Sequence, residues 1–424
     1  MLNKGVLILK KVIIIGGGVI GLTSAYFLRK SGAEVTIIEK GEFGMACSRG
    51  NQGWVCPAIH EPVPTPGLVT ESIQMLMKKD SPLYIKPSAM PQLSGWLTQF
   101  MKHCNEAAFK KGEEALLTTS KHTLSLFNEI QKDGVDFELH KKGMLFVFLY
   151  EANLKKKLER LKAVSHQYGH QKPEYKNQQE VKALEPALSD DVKGGIFLEN
   201  QYHIRPESFS KGMVEKLKAL GVKLYSNTEV IDIEKKENQI TSVKTKQEVF
   251  EADAFLLAAG AWSDDIGKKL NYKLPLTAGK GYSITITNPK TEIDHPLYLG
   301  DLKGGITPFD HAIRIGGTME LSGKNVNIDK KRVQGIRSAA SQYLKEEIKG
   351  DTEEEWGGMR PMTPDGMPVI GAIPHLDNMY ICTGHAMVGL AMAPVSGKMI
   401  SEIILTGQTD LNIEAFSPAR FEKS

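Results

Sequence analysis

The residues with the clearest chemical meaning are three glycines and an acid near the start of the chain. The glycines form the pattern Gly16-x-Gly18-x-x-Gly21, and Glu39 lies 18 residues after the last of them. In dinucleotide-binding proteins the first glycine permits a tight turn, the second lets backbone approach a pyrophosphate, and the third lets a helix pack closely on a strand. An acid at this distance can accept hydrogen bonds from an adenosine ribose. The spacing therefore predicts a site for a dinucleotide.

The elements that must position these residues lie on both sides of the glycines. The run from Val12 to Ile15 is short, apolar and rich in β-branched residues, as in strands buried on both faces of a parallel sheet. Apolar residues from Val19 to Lys30 have helical spacing, and the first N–H groups of that helix would face the phosphates. A second strand, Val35 to Ile38, leads directly to Glu39. Strand, turn, helix, strand and acid in this order predict a dinucleotide-binding fold far better than the glycines alone.

Later glycine-rich turns offer further contacts to a cofactor. The loop from Met45 to Gly53 presents hydroxyl, amide and backbone donors just after the second strand. The apolar strand from Ala254 to Leu257 ends in a turn of small residues, and the turn from Gly384 to Gly389 separates another strand from a closing helix. Backbone N–H groups at such turns are free to bind a ligand.

Length and composition limit the class of protein. A chain of 424 residues exceeds the size of one core and suggests two domains. The net charge of +3 is close to balance and argues against nucleic acid as a partner. The four cysteines form no CxxC pair and no zinc spacing, so we expect no metal site. We also expect a cytoplasmic protein, with residues 1–9 as a short extension, because no apolar run is long enough to span a membrane.

The rest of the chain predicts a second domain. Amphipathic helices from Thr70 to about Asp133 suggest an inserted helical layer, and a charged helix covers Glu151 to Tyr168. Residues 274–345 alternate strand-like runs with turns, which is typical of an antiparallel sheet. The run from Thr228 to Ile233 also predicts a strand. We therefore expect an α/β (α+β) fold: a Rossmann-like cofactor domain with a parallel sheet, and a substrate domain with an antiparallel sheet and inserted helices.

A set of motifs runs almost from end to end of the chain. Besides Gly16 to Glu39, it comprises Ser48-x-x-Asn51-x-Gly53, Ser81-Pro82-Leu83, Trp96-Leu97-x-x-Phe100, Ala258-Ala259-Gly260-Ala261-Trp262-Ser263, Lys280-Gly281-Tyr282-Ser283, Gly358-x-Arg360-Pro361-x-Thr363-Pro364-Asp365 and Gly384-His385-x-x-x-Gly389. With these motifs the chain resembles FAD-dependent amine and amino-acid oxidoreductases of the D-amino-acid oxidase fold. Within that fold it is most similar to the small-subunit type of bacterial D-amino-acid dehydrogenase.

The resemblance implies FAD as the cofactor and assigns residues to its two halves. The residues assigned to the ADP half are Gly16, Gly18, Val19, Ile20, Gly21, Glu39, Lys40 and Val230. Those assigned to the pyrophosphate and flavin are Ser48, Asn51, Gly53, Gly260, Trp262, Gly384, Gly389 and Met392. Some members of this fold tether the flavin through a cysteine just upstream of a Thr-Pro-Asp motif. No cysteine stands there before Thr363, so we expect non-covalent FAD.

A discontinuous domain layout also follows from the resemblance. The FAD-binding domain would take residues 1–85, 195–268 and 350–424. The substrate-binding domain would take residues 86–194 and 269–349.

The activity implied by the resemblance is oxidation of the Cα–N bond of a small amino acid, most simply a D-amino acid. Hydride transfer to flavin N5 would give an imino acid, which hydrolyses to a 2-oxo acid and ammonia. The protein must then supply a counter-charge for the substrate carboxylate, and the planar fork of an arginine suits this role. The resemblance assigns that role to Arg360, with a buried salt bridge or a backbone clamp as its alternative. Tyr282 is a second candidate, as a carboxylate donor or a wall over the flavin, with a core tyrosine as its alternative; His385 would lie beside the flavin.

Several alternatives stay open at this point. A glycine or sarcosine oxidase and a hydroxyproline-type dehydrogenase share the fold, whereas a disulfide reductase would need a second glycine fingerprint and a CxxC. The electron acceptor is oxygen, or a quinone or other carrier, and peripheral association with the inner face of the cell membrane is the alternative to a purely cytoplasmic location. The oligomeric state and the roles of Arg49 and His203 have no assignment from the sequence.

Overall fold

The computed structural model describes residues 10–68 and 83–422. The strands, numbered in chain order, are β1 Lys11–Ile15, β2 Glu34–Ile38, β3 Trp54–Val55, β4 Leu83–Ile85, β5 Leu139–His140, β6 Met144–Phe148, β7 Glu174–Asn177, β8 Gly194–Leu198, β9 Tyr202–Ile204, β10 Lys223–Tyr225, β11 Asp232–Lys236, β12 Gln239–Lys244, β13 Val249–Glu251, β14 Ala254–Leu257, β15 Thr277–Thr287, β16 Leu297–Leu299, β17 Gly304–Phe309, β18 Ala312–Leu321, β19 Thr352–Met362, β20 Val369–Ala372 and β21 Met379–Thr383. The α-helices are α1 Val19–Lys30, α2 Met90–His103, α3 Glu106–Ser120, α4 Thr123–Lys132, α5 Glu151–Tyr168, α6 Gln178–Leu184, α7 Pro206–Ala219, α8 Ser263–Lys269, α9 Lys330–Ser341 and α10 Gly389–Thr406. The expected N-terminal extension, the helix start at Thr70 and the Ser81-Pro82 pair lie outside the described residues.

The first sheet has six strands in the order β10-β2-β1-β14-β21-β20, and all neighbours are parallel except β20 and β21. Its central strand β1 alternates between two cores. Val12 and Ile14 pack with α1 and α10 on one face, while Ile13 and Ile15 belong to a separate apolar cluster on the other. The expected parallel sheet, buried on both faces, is therefore confirmed.

Helix α1 lies directly against helix α10 at the C-terminal end of the chain. A Cβ on Gly397 would be 2.7 Å from the carbonyl carbon of Thr23, and the Thr23 hydroxyl donates to the carbonyl of Ala393 at 2.8 Å. The backbones can approach this closely only because residue 397 has no side chain. This contact fixes the beginning of α1, and hence the glycine turn, against the last helix.

The second sheet has nine strands in the order β19-β15-β18-β17-β16-β6-β8-β7, with β4 also paired to β18. Most neighbours are antiparallel as expected, but β16 with β6 and β4 with β18 are parallel. Helix α9 covers one face, where Val333 and Ile336 pack with Ile284 of β15. The opposite face of β15, β18 and β19 is rich in glycine and turns toward the first sheet.

Three strands near the expected domain boundaries pair into this second sheet. They are β4, β8 and β19, and β19 is hydrogen-bonded along its whole length to β15. We propose that the division into two domains follows the sheets, with these strands on the substrate side and the remaining layout as expected.

The predicted strand from Thr228 to Ile233 is wrong in its first four residues, because β11 begins only at Asp232. The N–H groups of Asn227 and Thr228 donate instead to the carbonyls of Gly41 and Glu39, at 2.8 Å each. The chain therefore crosses the edge of the first sheet before it enters β11. Over residues 10–68 and 83–422, no helix combines the length and the apolar character that crossing a bilayer requires.

Candidate active site

A cavity of about 550 Å³ lies between the two sheets. On one side it is bordered by the turns after β1, β2 and β14, at the carboxyl ends of the parallel strands, where ligands of such sheets bind. On the other side it is bordered by glycine-rich segments of β15, β18 and β19. Its volume is in the range of ordinary ligand pockets, which is roughly 300–1,000 Å³.

The three fingerprint glycines have different surroundings at the edge of this cavity. Gly16 has a φ of +112°, and a Cβ there would be 2.5 Å from the carbonyl oxygen of Ala258. A Cβ on Gly21 would be 2.0 Å from the carbonyl oxygen of Gly16, so this glycine serves the packing of helix on strand and does not border the cavity. Gly18 faces the cavity, with only the Ser48 hydroxyl near its Cβ position, at 3.5 Å. Gly18 is therefore where a ligand can approach the backbone.

The Glu39 side chain is held by the backbone at the cavity edge. Its Oε2 accepts from the N–H of Gly17 at 2.6 Å, and its Oε1 accepts from the N–H of Gly41 at 2.8 Å. Each carboxylate oxygen has a further lone pair for a ribose hydroxyl. Lys40 and Val230 also border the cavity, and the Lys40 amine pairs with Glu229 at 2.8 Å on the exposed side.

The loop after β2 contributes two of its three predicted residues. Ser48 and Asn51 border the cavity, and the Ser48 hydroxyl accepts from the N–H of Val19 at 3.3 Å. Gly53 does not border it, because a Cβ there would be 2.1 Å from the carbonyl oxygen of Ile204. Gly53 instead lets the end of the loop pack against β9.

The remaining predicted cofactor residues divide in the same way. Those that border the cavity are Val19, Ile20, Gly260, Trp262 and Gly389. Gly384 and Met392 were predicted to contact the cofactor, but neither borders the cavity. Gly384 packs against the Thr363 side chain with a φ of +78°, and Met392 is fully buried in the apolar core between α10 and the first sheet.

Arg360 extends from the edge strand β19 across β15. Its Nη1 donates to the carbonyl of Thr318 at 3.0 Å, and the described residues include no carboxylate partner for it. Burial lowers the pKa of the guanidinium to about 10, so it stays charged at neutral pH. A partly buried cation without a counter-charge among its described neighbours favours the binding of an anion.

The structure corrects the prediction for Tyr282. Gly281 lies under the Arg360 guanidinium, and successive side chains on a strand point to opposite faces, so the Tyr282 ring is on the other side of the sheet. There it packs with Ile284 below α9, and its hydroxyl donates to Glu320 Oε2 at 2.7 Å. Burial and Glu320 raise the pKa of Tyr282. Tyr282 is thus a core tyrosine, although its residue position borders the cavity.

His385 borders the cavity as a neutral imidazole. Burial lowers its pKa to about 3, and its Nε2 is 2.9 Å from the Ser396 hydroxyl. Its Nδ1 is buried and has no hydrogen-bond partner within the described ranges. His385 therefore brings no positive charge to the cavity.

The sequence analysis did not identify the glycines on the second sheet as site residues. Gly281, Gly316 and Gly358 border the cavity. Gln52 also borders it; the residue belongs to the loop that was predicted to contact a cofactor, but it was not singled out there. The Gly316-Gly317 pair inside a strand was an available signal, since glycine in a strand often marks close approach of a ligand or backbone.

The two residues without an assignment lie outside the cavity. Arg49 forms a surface ion pair with Glu354 at 2.7 Å, and its carbonyl accepts from the buried Arg314 at 3.0 Å. His203 is buried in β9 and stacks on His140 at 4.6 Å. Both hold the loop and the small sheet beside the cavity.

Comparisons with known proteins identify the family and the fold of the chain. A family model described as "FAD dependent oxidoreductase" matches residues 11–403. D-amino acid dehydrogenase from Vibrio atlanticus is 30% identical over 420 residues, which cover 97% of this chain and 100% of that relative. Glycine oxidase from Geobacillus kaustophilus has a TM-score of 0.77 at 20% identity, over 97% of this chain and 99% of that one. L-proline dehydrogenase from P. horikoshii has a TM-score of 0.76 at 22% identity, over 98% of both chains.

The residues of the cavity fit an FAD molecule. Gly18 and the first turn of α1 present backbone N–H groups where a pyrophosphate would lie, and Glu39 presents acceptors for a ribose. At the other end, Gly281 leaves room for the Arg360 guanidinium and Gly316 leaves room for the Gln52 amide, so a ligand there would meet these two polar groups.

Proposed function

The chain belongs to the family of FAD-dependent oxidoreductases, and on that premise we propose that it oxidises the Cα–N bond of a D-amino acid. The product would be an imino acid, which water hydrolyses to a 2-oxo acid and ammonia. The observation that carries the proposal is Arg360, a charged guanidinium at the cavity without a carboxylate partner among the described residues. The relative from Vibrio atlanticus, named a D-amino acid dehydrogenase, supports the choice of substrate.

Arg360 would bind the substrate carboxylate. The carbonyl of Thr318 fixes one side of its fork through Nη1, and the other guanidinium nitrogen, Nη2, has no acceptor among the described residues, so it can donate to an anion. This would hold the amino acid beside the guanidinium, which lies over Gly281, and would limit how its α-carbon can face the cofactor.

FAD, when bound, supplies the two-electron acceptor for the hydride that leaves the α-carbon. The substrate amine must give up its own proton to solvent before this step, since the imidazole of His385 is too weak a base to take it. The role proposed for His385 is therefore a neutral hydrogen-bonding partner of the bound ligand.

We propose that the cofactor is held without a covalent bond. Cys47 and Cys382 border the cavity, but burial raises the pKa of Cys47 to about 11 and also raises the pKa of Cys382. Thiols kept protonated are poor nucleophiles toward a flavin. Acid precipitation of the purified protein should release all yellow colour into the supernatant; flavin that stays with the pellet would contradict the proposal.

The acceptor that reoxidises the cofactor is proposed to be a quinone or a carrier protein, because the curated relative is named a dehydrogenase and not an oxidase. The location that follows is cytoplasmic, with the protein docking at the inner face of the membrane during reoxidation. Reduced enzyme mixed with a soluble quinone should regain its absorption much faster than enzyme mixed with air-saturated buffer. Equal rates would favour oxygen.

The deciding experiment is a substrate panel read by loss of flavin absorption without oxygen. D-amino acids should bleach the flavin and L-amino acids should not. Bleaching by glycine or sarcosine alone would make the chain a glycine or sarcosine oxidase, and bleaching by proline derivatives alone would point to a hydroxyproline-type dehydrogenase.

A further inference from the structure

A short hydrogen-bond relay fixes the orientation of the Gln52 amide. The indole N–H of Trp54 donates to the Thr307 hydroxyl at 2.8 Å, and that hydroxyl is 2.7 Å from Gln52 Oε1. Because an indole nitrogen can only donate, the Thr307 oxygen accepts from it and must send its own proton onward. The acceptor is the carbonyl oxygen of Gln52, so the NH₂ group of the amide points the other way.

That NH₂ group has no acceptor among the described residues. Gln52 borders the cavity, and its Nε2 is buried without a hydrogen-bond partner in the part of the chain that the structure describes. A Cβ on Gly316 would be 2.0 Å from Nε2, so the amide can lie here only because residue 316 is glycine. Buried donors without a partner are rare in folded proteins, since an unmade hydrogen bond is unfavourable.

The Gln52 amide and the Arg360 guanidinium lie over the same face of the second sheet. The guanidinium lies over Gly281 of β15, and Nε2 of Gln52 lies over Gly316 of β18. Gly316 pairs with Ser283, which is two residues after Gly281 and therefore shares its face. Such diagonal neighbours on adjacent strands are about 7–8 Å apart, so this face carries a charged donor and, at about that distance, a neutral donor.

We propose that Gln52 donates a hydrogen bond from Nε2 to an acceptor atom of the ligands that fill this cavity. The acceptor is an oxygen or ring nitrogen, and it is supplied either by the flavin or by the amino-acid substrate. The inference rests on the proposed function, in which both molecules occupy the cavity. The relay through Thr307 and Trp54 is the device that positions the donor before the ligands arrive.

The test compares Gln52→Leu, which removes the donor, with Gln52→Glu, which replaces it with an acceptor. Two quantities are measured for each: the Kd of the apoprotein for FAD, and the Kd of the loaded protein for pyruvate, read from the flavin spectrum. If the flavin supplies the acceptor, Gln52→Leu should raise the Kd for FAD roughly 3- to 10-fold and shift the flavin absorption before pyruvate is added. If the substrate supplies it, only the Kd for pyruvate should rise by that factor. Gln52→Glu should have the larger effect in either case.

Two further variants serve as a control and as an alternative test. Gln178→Leu removes an amide that donates to the carbonyls of Asp190 and Val192, far from the cavity, and should change neither Kd. Thr307→Val keeps the Gln52 amide but frees it to rotate, so it should raise the same Kd by a smaller factor, and it carries the test if Gln52→Leu does not fold.

Unchanged Kd values and spectra in both Gln52 variants would overturn the proposal, and the amide would then be satisfied by a buried water. The titration with FAD needs no turnover. If the unmodified protein oxidised no D-amino acid, the proposed function would be wrong, but the Kd for FAD could still be measured for each Gln52 variant.

Discussion

The guanidinium of Arg360 lies directly over the α-carbon of Gly281, on the neighbouring strand of the second sheet. A Cβ on residue 281 would be 2.3 Å from Nη2 and 2.4 Å from Nη1 of Arg360. The two residues are not partners in the ladder, where Gly281 pairs with Gly358 and Arg360 pairs with Gly279. The absence of a side chain at Gly281 therefore opens the diagonal path along which the arginine reaches the cavity.

Replacing Gly281 with alanine should displace the arginine from that path. We expect Gly281→Ala to raise the KM for the preferred D-amino acid by about 10-fold or more, because a charged hydrogen-bonding pair contributes roughly 1.5–3 kcal/mol. Steady-state kinetics measures this. Gly335→Ala on α9, where a Cβ meets nothing within 4 Å, is the matched control and should leave KM unchanged. A normal KM in Gly281→Ala would show that the arginine does not hold the substrate.

Substitution of Arg360 itself should raise KM more than substitution of Gly281. Arg360→Ala is expected to raise KM by about 10- to 100-fold with a smaller change in kcat, since it removes the counter-charge of the carboxylate. Arg360→Lys keeps the charge but loses the planar fork, so its KM should lie between those of the unmodified protein and Arg360→Ala. Arg337→Lys is the control: it makes the same substitution at an arginine outside the cavity, which pairs with Glu353, and it should leave KM unchanged. An unaltered KM in Arg360→Ala excludes the anchor role.

Glu39 should control the affinity for the cofactor and not the affinity for the substrate. Glu39→Gln leaves one oxygen for two backbone N–H groups and turns an NH₂ group toward the other, so we expect the Kd for FAD to rise by about 10-fold. Fluorescence titration of the apoprotein measures it. Glu354→Gln, which breaks the surface pair with Arg49, should leave the Kd for FAD as it was. The idea fails if both variants bind FAD equally well.

Tyr282 provides a test in which stability and activity should separate. In Tyr282→Phe the buried Glu320 loses a hydrogen bond of 2.7 Å, so the free energy of unfolding should fall by about 1–2 kcal/mol. kcat/KM should stay within about twofold, since the hydroxyl lies on the face of the sheet away from Arg360. Denaturant unfolding and kinetics on one preparation decide this, with the exposed Tyr175→Phe as control. A large loss of kcat/KM without loss of stability would show that Tyr282 acts in the active site.

The sequence predicted those parts of the site that depend on neighbours along the chain. Helix α1 begins and ends where its apolar spacing indicates, and Gly16, Gly18 and Glu39 meet in one turn because strand, helix and strand are consecutive. Tyr282 could not be placed from the sequence, because only the pairing of β15 with β19 decides which of Gly281 and Tyr282 faces Arg360. Gln52 was missed for a similar reason.

A register between distant strands has no local signature. The position of the glycines on the second sheet depends on how β15, β18 and β19 align, and these strands are separated by long stretches of chain. The donor at Gln52 depends on Thr307, more than 250 residues away. Sequence patterns mark glycines and amides as available, but only the fold decides what they meet.

Three buried histidines should make the protein less stable in mild acid. Burial lowers the pKa of His60, His203 and His385 from 6.5 to about 3. Between these two values the unfolded chain binds a proton at each position and the folded chain does not. The free energy of unfolding should therefore fall as the pH falls below 6.5, by about 1.4 kcal/mol per pH unit for each histidine.

One of these histidines can be removed to measure its share. Burial is the main reason why the pKa of His203 is low, and electrostatic interaction with the nearby His140 lowers it further. His203→Gln should reduce the slope of unfolding free energy against pH, between pH 5 and 6, by about 1.4 kcal/mol per pH unit. Urea unfolding at closely spaced pH values measures the slope, with His122→Gln at the exposed start of α4 as control. The slope of the unfolding free energy against pH reports how many protons bind on unfolding. If His203→Gln changed the unfolding free energy equally at pH 5 and at pH 6, the slope would be unaltered. That result would mean that His203 is already protonated in the folded protein.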